Sequence, residues 1–438
     1  MKAGVGRAIG AYGTVLADPR ARAFTLAGLL ARLPLSMTGL GIVLMISLTT
    51  GSFGRAGLVT ACATLTAAVV LPWWGRRIDR VGQARVLIIA AVLAAIGLSA
   101  VTITVLLGMP LWLTCLAAVV SGLGATSAGS AVRARWTYRF SDDEPALLNT
   151  AYALEAVLDE VVFIVGPVLV TFLATTIHPA FALGVVVVLG LAGGIALAVQ
   201  RGTEPPLTLH PAGQQPATAK LSLGFLVPIM VACAALGALF GGMEVVVVAF
   251  AREHDIVVYS GAILMLWATG SLVAGLVTGT IHWKVSPRRR FRVGAVLLAA
   301  SVVPLLFVDH PAAVAGLLML SGLAVAPTLI STVALTQSSV PGSRLTEALG
   351  WTSMGMATGV ALGAAVLGRV IDGWGADGGF AAMVGVAVLL VIGVMTVRSP
   401  AIPAEVTAEV PAEVTADITA ATGTPAGALD PIGAETLS

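Results

Sequence analysis

The chain has 438 residues, 58% of them hydrophobic and only 11% charged, and its mean hydropathy is +0.98. A soluble domain carries about one-quarter charged residues, so this composition excludes an ordinary water-soluble protein. The net charge of +2 excludes a strongly basic nucleic-acid binder.

The first 22 residues carry Lys2, Arg7, Arg20 and Arg22 around a glycine-broken apolar stretch and read as a cytoplasmic leader, not a signal peptide. Apolar runs of the length a helix needs to cross hydrocarbon, about 20 residues, then recur. They predict spans near 24–48, 57–74, 86–107, 111–131, 147–173 and 180–199, and again near 223–250, 256–281, 292–308, 312–335, 346–369 and 379–397. Continuous runs indicate helices, because a barrel strand alternates over about 10 residues and only a helix satisfies its own backbone in lipid. The expected fold class is all-α integral membrane, twelve transmembrane helices arranged as two six-helix pseudo-repeats.

Counting the amino terminus as inside, every Lys and Arg except Arg32, Arg55, Arg252 and Arg369 falls on the inner side. That asymmetry places both termini in the cytoplasm and the protein in the cytoplasmic membrane. Domain limits follow: leader 1–22, first half 23–200, a Pro- and Gly-containing linker 201–221, second half 222–398, and an acidic tail 399–438. The tail repeats Pro403-Ala-Glu-Val-Thr-Ala-Glu-Val as Pro411-Ala-Glu-Val-Thr-Ala-Asp-Ile and reads as disordered. Ser121-Gly122-Leu123 in the fourth span returns as Ser321-Gly322-Leu323 in the tenth, an echo between the halves. Cys62, Cys115 and Cys233 sit in apolar runs without metal-ligand spacing, and five scattered histidines form no catalytic group. The chain therefore reads as no enzyme and as needing no cofactor.

Charged residues inside spans need a partner or water, since each costs about 2.5–3.5 kcal/mol at mid-bilayer. Arg32 in the first span and Glu155 in the fifth lie at matched depths, roughly 12–14 Å in, and Asp159 shares the helix face of Glu155 one turn on. Tyr152 is a candidate hydrogen-bond donor to Glu155. Two readings stay open: an ion pair that orients the helices, or a pair of carboxylates that raise each other's proton affinity. On the second, Asp159 exchanges the proton and Glu155 pairs with Arg32. Glu244, in Gly241-Gly242-Met243-Glu244 of the seventh span, is a candidate substrate contact or an outer-boundary residue. Arg369 and Asp372 at the outer end of the eleventh span read as solvated. Gly355, Gly359 and Gly363 mark close helix packing. Aromatic residues are few, with Trp267 and Trp351 among those inside spans.

After the second span the chain reads Gly75-Arg76-Arg77-Ile78-Asp79-Arg80-Val81-Gly82-Gln83-Ala84-Arg85. Gly75 and Gly82 permit a tight turn, while Arg80 and Arg85 favour an anionic leaflet. This segment resembles the signature loop of the major facilitator superfamily. The resemblance implies a solute transporter working by alternating access, with Asp79 latching the inner side through the fourth and eleventh spans, where Arg133 and Glu347 are available. In the second copy Trp283 stands at the Asp79 position. Two antiporter patterns of the family are incomplete: Ala118 replaces the expected arginine before Gly122-Leu123-Gly124-Ala125, and Val170 and Thr171 replace the glycines after Gly166-Pro167. The expected function is proton-coupled efflux of a small organic molecule by a monomer in the lipid bilayer, using the proton gradient and no nucleic acid. The alternatives are a proton-coupled uptake symporter and a non-transporting membrane sensor or assembly partner.

Overall fold

The computed structural model describes residues 12–126, 128–140, 144–206, 223–280, 283, 285–340 and 344–397. The expected acidic tail, Lys284 and most of the expected linker lie outside them. The first span is Pro19–Thr50, the second Phe53–Val81 and the third Gln83–Leu106. The fourth is Leu111–Leu123 continued after a break by Ala128–Arg139, the fifth Pro145–Thr176 and the sixth Pro179–Val199. The second half supplies Leu223–Glu253, Ser260–Thr280, Pro287–Val302 and Pro311–Ser339 as spans seven to ten. Spans eleven and twelve form one helical run, Leu345–Thr396, broken at Gly375, where φ is 66° and ψ is −165°. With that break counted, the described residues form twelve spans in two sets of six.

Prolines open many of these helices. Pro19, Pro145, Pro179, Pro287 and Pro311 sit in the first turn, where the missing N–H costs nothing. Asp18, Ser52 and Ser286 cap helix starts with their side chains. The N–H of Arg20 and, less strongly, the charge of Arg139 hold the Asp18 carboxyl below its usual range, against the opposing effect of burial. Val15 is buried, and Tyr12 and Leu16 pack with it beside Phe24 and Trp136, so part of the expected leader is attached to the bundle.

The helices turn back on short connections. Gly82 alone joins spans two and three: its φ of 90° supplies the reversal, and its N–H donates to the carbonyl of Ile78 at 2.9 Å. Gly75 lies seven residues earlier, inside the helix and with open space around it, so the turn is narrower than the two-glycine reading implied. The end of the bundle that carries Gly82 is called the motif end below, and the opposite end, at Thr50 to Phe53, the far end.

The halves meet through spans two and eleven and through spans five and eight. Within the second half, Gly355, Gly359 and Gly363 lie against the carbonyl oxygens of Met230, Ala234 and Ala238 in span seven. A Cβ on Gly359 would stand 1.9 Å from the Ala234 oxygen. Gly359→Leu is therefore expected to destabilise the bundle by at least about 1–3 kcal/mol, read as a lower thermal midpoint in detergent. An unchanged midpoint would show that spans seven and eleven can separate freely.

Candidate functional site

The break between Leu123 and Ala128 ends the apolar part of span four and starts a helix bearing Arg133, Arg135 and Trp136. Arg133 and Trp136 face spans one and five near the motif end, and Arg135 faces span three and the end of span six. Arg32 is 4% exposed and Glu155 fully buried, and Nη2 of Arg32 lies 2.6 Å from Oε2 of Glu155. The other Arg32 nitrogen, Nη1, donates to Asp159 Oδ1 at 2.8 Å, and its Nε donates to the Gly28 carbonyl at 3.1 Å. Trp136 Nε1 donates to the second oxygen of Glu155 at 2.9 Å. Arg133 Nη2 holds Asp159 Oδ2 at 2.5 Å.

Two guanidinium groups and two carboxylates thus neutralise one another. Asp159 is paired with both arginines and not only weakly with Arg32, because the broken fourth span brings Arg133 alongside. Tyr152 does not reach Glu155. Its hydroxyl lies 2.6 Å from Thr137 Oγ1, and Trp136 fills the place beside Glu155. Beneath this cluster Arg135, 1% exposed, donates to Gln83 Oε1, to the Leu197 and Gln200 carbonyls and to Thr203 Oγ1. Glu204 in turn accepts from the N–H groups of Gln83 and Ala84 at the start of span three. The beginning of the expected linker, Arg201–Thr203, is a short 3-10 helix tied into this network.

Asp159 is 34% exposed and Arg133 40% exposed, yet Asp159 lies fourteen residues into its helix, about 20 Å from its start. Charged surface at that depth is strongly opposed by lipid, so this face requires ion-pair partners or water rather than hydrocarbon. Asp79, Arg80 and Arg85 are exposed, and among the described residues Asp79 has no ion pair or hydrogen bond. Arg133 is held by Asp159, and Glu347 pairs with Arg344 at 2.6 Å. The latch residues named from sequence are therefore apart in this conformation.

At the far end the halves are joined. Asp372 of span eleven accepts from the Phe53 N–H at 2.6 Å, from the Gly54 N–H at 2.9 Å and from the Ser52 hydroxyl at 2.7 Å. It caps span two from the opposite half. Arg252 of span seven donates to the Ser47 carbonyl at the end of span one, at 3.0 Å, and its guanidinium stands over the Phe53 ring. Gly57 and Gly368 allow spans two and eleven to touch backbone to backbone. These hydrogen bonds between described residues of the two halves all lie at this end. Asp372, read as solvated, is exposed and is also a cross-half clasp, whose partner was hidden in the sequence because Ser52 is 320 residues away.

Higher in the bundle, Glu244 is half-buried, and its Oε2 lies 3.1 Å from where a Cβ on Gly39 of span one would stand. It has no ion pair among the described residues. No group of three or more metal-ligating side chains occurs among those residues either.

A sequence pattern described as Major Facilitator Superfamily matches residues 24–319 and 284–427. The chain belongs to this superfamily. No curated protein matched it. Solved structures share its fold at low identity. A mutant form of the nucleoside transporter NupG is 15% identical with a TM-score of 0.71, covering 86% of this chain and 99% of the other. A bacterial homologue of the iron transporter ferroportin in an inward-facing state is 13% identical, with a TM-score of 0.65 over 86% and 99%. The POT family transporter PepTSo is 10% identical, with a TM-score of 0.65 over 86% and 96%. This superfamily member is thus a multi-pass membrane transporter and not an enzyme.

Proposed function

We propose that the chain is a proton-coupled secondary transporter that exports a small organic solute across the cytoplasmic membrane by alternating access. One observation carries this reading: hydrogen bonds join the halves at the far end, while toward the motif end Asp79 stands exposed and Asp159 and Arg133 are partly exposed deep along their helices. A bundle closed on one side and open on the other is one of the two states that alternating access requires. The Lys and Arg asymmetry supports assigning the motif end to the cytoplasm, with both termini there. One chain supplies both halves, so a monomer suffices.

Proton coupling rests on Glu155 and Asp159. In the present state Asp159 is paired with Arg32 and Arg133, and taking up a proton there would leave a cation unmatched. Asp159 exchanges its proton when span four moves and withdraws Arg133, which makes its charge state follow the conformation. Glu155, sealed by Arg32 and Trp136, holds spans one and five together throughout. The Asp79 segment closes the motif end in the opposite state.

The test needs no known substrate. In a background lacking Cys62, Cys115 and Cys233, Thr137→Cys should react with an impermeant maleimide from the motif side only. Ala249→Cys should react slowly and from the far side only, with a ratio that changes with pH. Labelling of both from one side, or Ala249→Cys inert at every pH, refutes alternating access. If Asp159→Asn and Glu155→Gln both keep the pH dependence of the ratio, these carboxylates do not couple protons to the change.

A further inference from the structure

Phe240 and Glu244 are one turn apart on span seven, so their side chains share a face. Phe240 meets Trp267 of span eight with ring centroids 4.9 Å apart and planes inclined at 51°. Trp267 is only 8% exposed, and its Nε1 has no hydrogen-bond partner. Thr60 of span two, 4% exposed, likewise has an unpartnered hydroxyl. The Thr60 methyl and the Glu244 carboxylate both lie within 4 Å of the same point above Gly39. Glu244 and Thr60 thus meet above Gly39 where the halves adjoin, and the Phe240–Trp267 pair with its unused N–H lies one turn along the Glu244 face.

The charges on the surrounding spans do not serve Glu244. Arg32 is held by Glu155 and Asp159, Arg252 by the Ser47 carbonyl, and Glu347 by Arg344. Arg55, Glu253, Arg369 and Asp372 belong to the far end, and the eighth span carries no charged residue. A lone ionised carboxylate in this setting requires a counter-charge, and an unused buried indole N–H costs about 1–3 kcal/mol until it finds an acceptor.

We infer that this corner binds an organic cation: a protonated amine carried on a flat apolar body, with an oxygen acceptor for the Trp267 N–H. The ammonium pairs with Glu244, and the body lies against the Phe240 and Trp267 rings, whose faces attract cations. An anionic solute is repelled by Glu244, and a sugar would find too few polar partners. The inference rests on the export reading and names its substrate class.

The probe is propranolol, an aromatic ether with a hydroxyl and a secondary ammonium, measured by calorimetry on the purified full chain. Its neutral counterpart is 3-(1-naphthyloxy)propane-1,2-diol, with a hydroxyl in place of the amine. Propranolol should bind the wild type, weaken at least tenfold in Glu244→Gln and weaken three- to tenfold in Trp267→Phe. The diol should bind the wild type at least tenfold more weakly than propranolol does. Thermal midpoints of the unliganded variants, expected to match the wild type, separate lost binding from lost folding. Equal affinity in Glu244→Gln, equal affinity for the diol, or no binding of propranolol to the wild type overturns the inference. Maleimide labelling that still alternates alongside any of those results leaves the transport reading standing. Labelling confined to one side would remove that reading instead.

Discussion

Arg32→Met is expected to cost about 3–5 kcal/mol of stability at neutral pH, because it leaves Glu155 buried without a counter-charge. The residue is 4% exposed and holds one oxygen of each carboxylate, so neither loss is repaired by water at Glu155, which is fully buried. Asp159 fares better, since Arg133 still holds its other oxygen. The deficit should therefore concentrate on Glu155. Adding Glu155→Gln to Arg32→Met is expected to recover more than half of it, whereas adding Asp159→Asn should recover little. Thermal unfolding of the four proteins in one detergent gives the comparison, with Arg32→Met melting several degrees below the wild type. A midpoint for Arg32→Met within a degree of the wild type would mean that the four charges do not form one neutral unit.

The twelve spans were legible because crossing hydrocarbon imposes a length and an apolar composition that survive any rearrangement of neighbours. The contact of Arg32 with Glu155 was legible too, since two residues at equal depth on adjacent helices have few other partners. What the sequence hid were contacts that depend on a break or on rotation about a helix axis. Nothing in Arg133-Ala134-Arg135-Trp136 marks Arg133 for Asp159, Arg135 for the end of span six and Trp136 for Glu155. Spacing puts Arg133 and Trp136 on one face and Arg135 on another, but only packing chooses which neighbour each face meets. Asp79 illustrates another limit. A latch that closes in one state is described by sequence without the state, and here Asp79 stands exposed while the far end is shut. Asp372 shows the converse: a carboxylate at a span end looks the same whether it faces water or caps a helix of the other half.

Asp372→Ala is expected to shift the bundle toward opening at the far end. The carboxylate accepts two backbone N–H groups and one hydroxyl across the seam, and hydrogen bonds to a charged group contribute about 1.5–3 kcal/mol each when fully formed. Water can replace part of that at this partly exposed site, so a net loss of about 1.5–3 kcal/mol is the reasonable expectation, a shift of roughly ten- to a hundredfold in the closed-to-open ratio. The same change should leave the Arg32 cluster intact, because the two lie at opposite ends of the bundle. Spin labels at Met109 and Asp309, exposed on far-end connections of the two halves, read the result as a longer distance population that grows in Asp372→Ala. Asp372→Asn keeps one acceptor oxygen and should give an intermediate shift. Arg252→Gln removes the second tether, to Ser47, and should add to Asp372→Ala rather than repeat it, since the two residues hold different spans. If the distance distribution does not move in Asp372→Ala while the protein melts lower, the clasp only stabilises span two and does not set which side is open. If neither quantity moves, the closure at the far end is held by the backbone contacts at Gly57 and Gly368 alone.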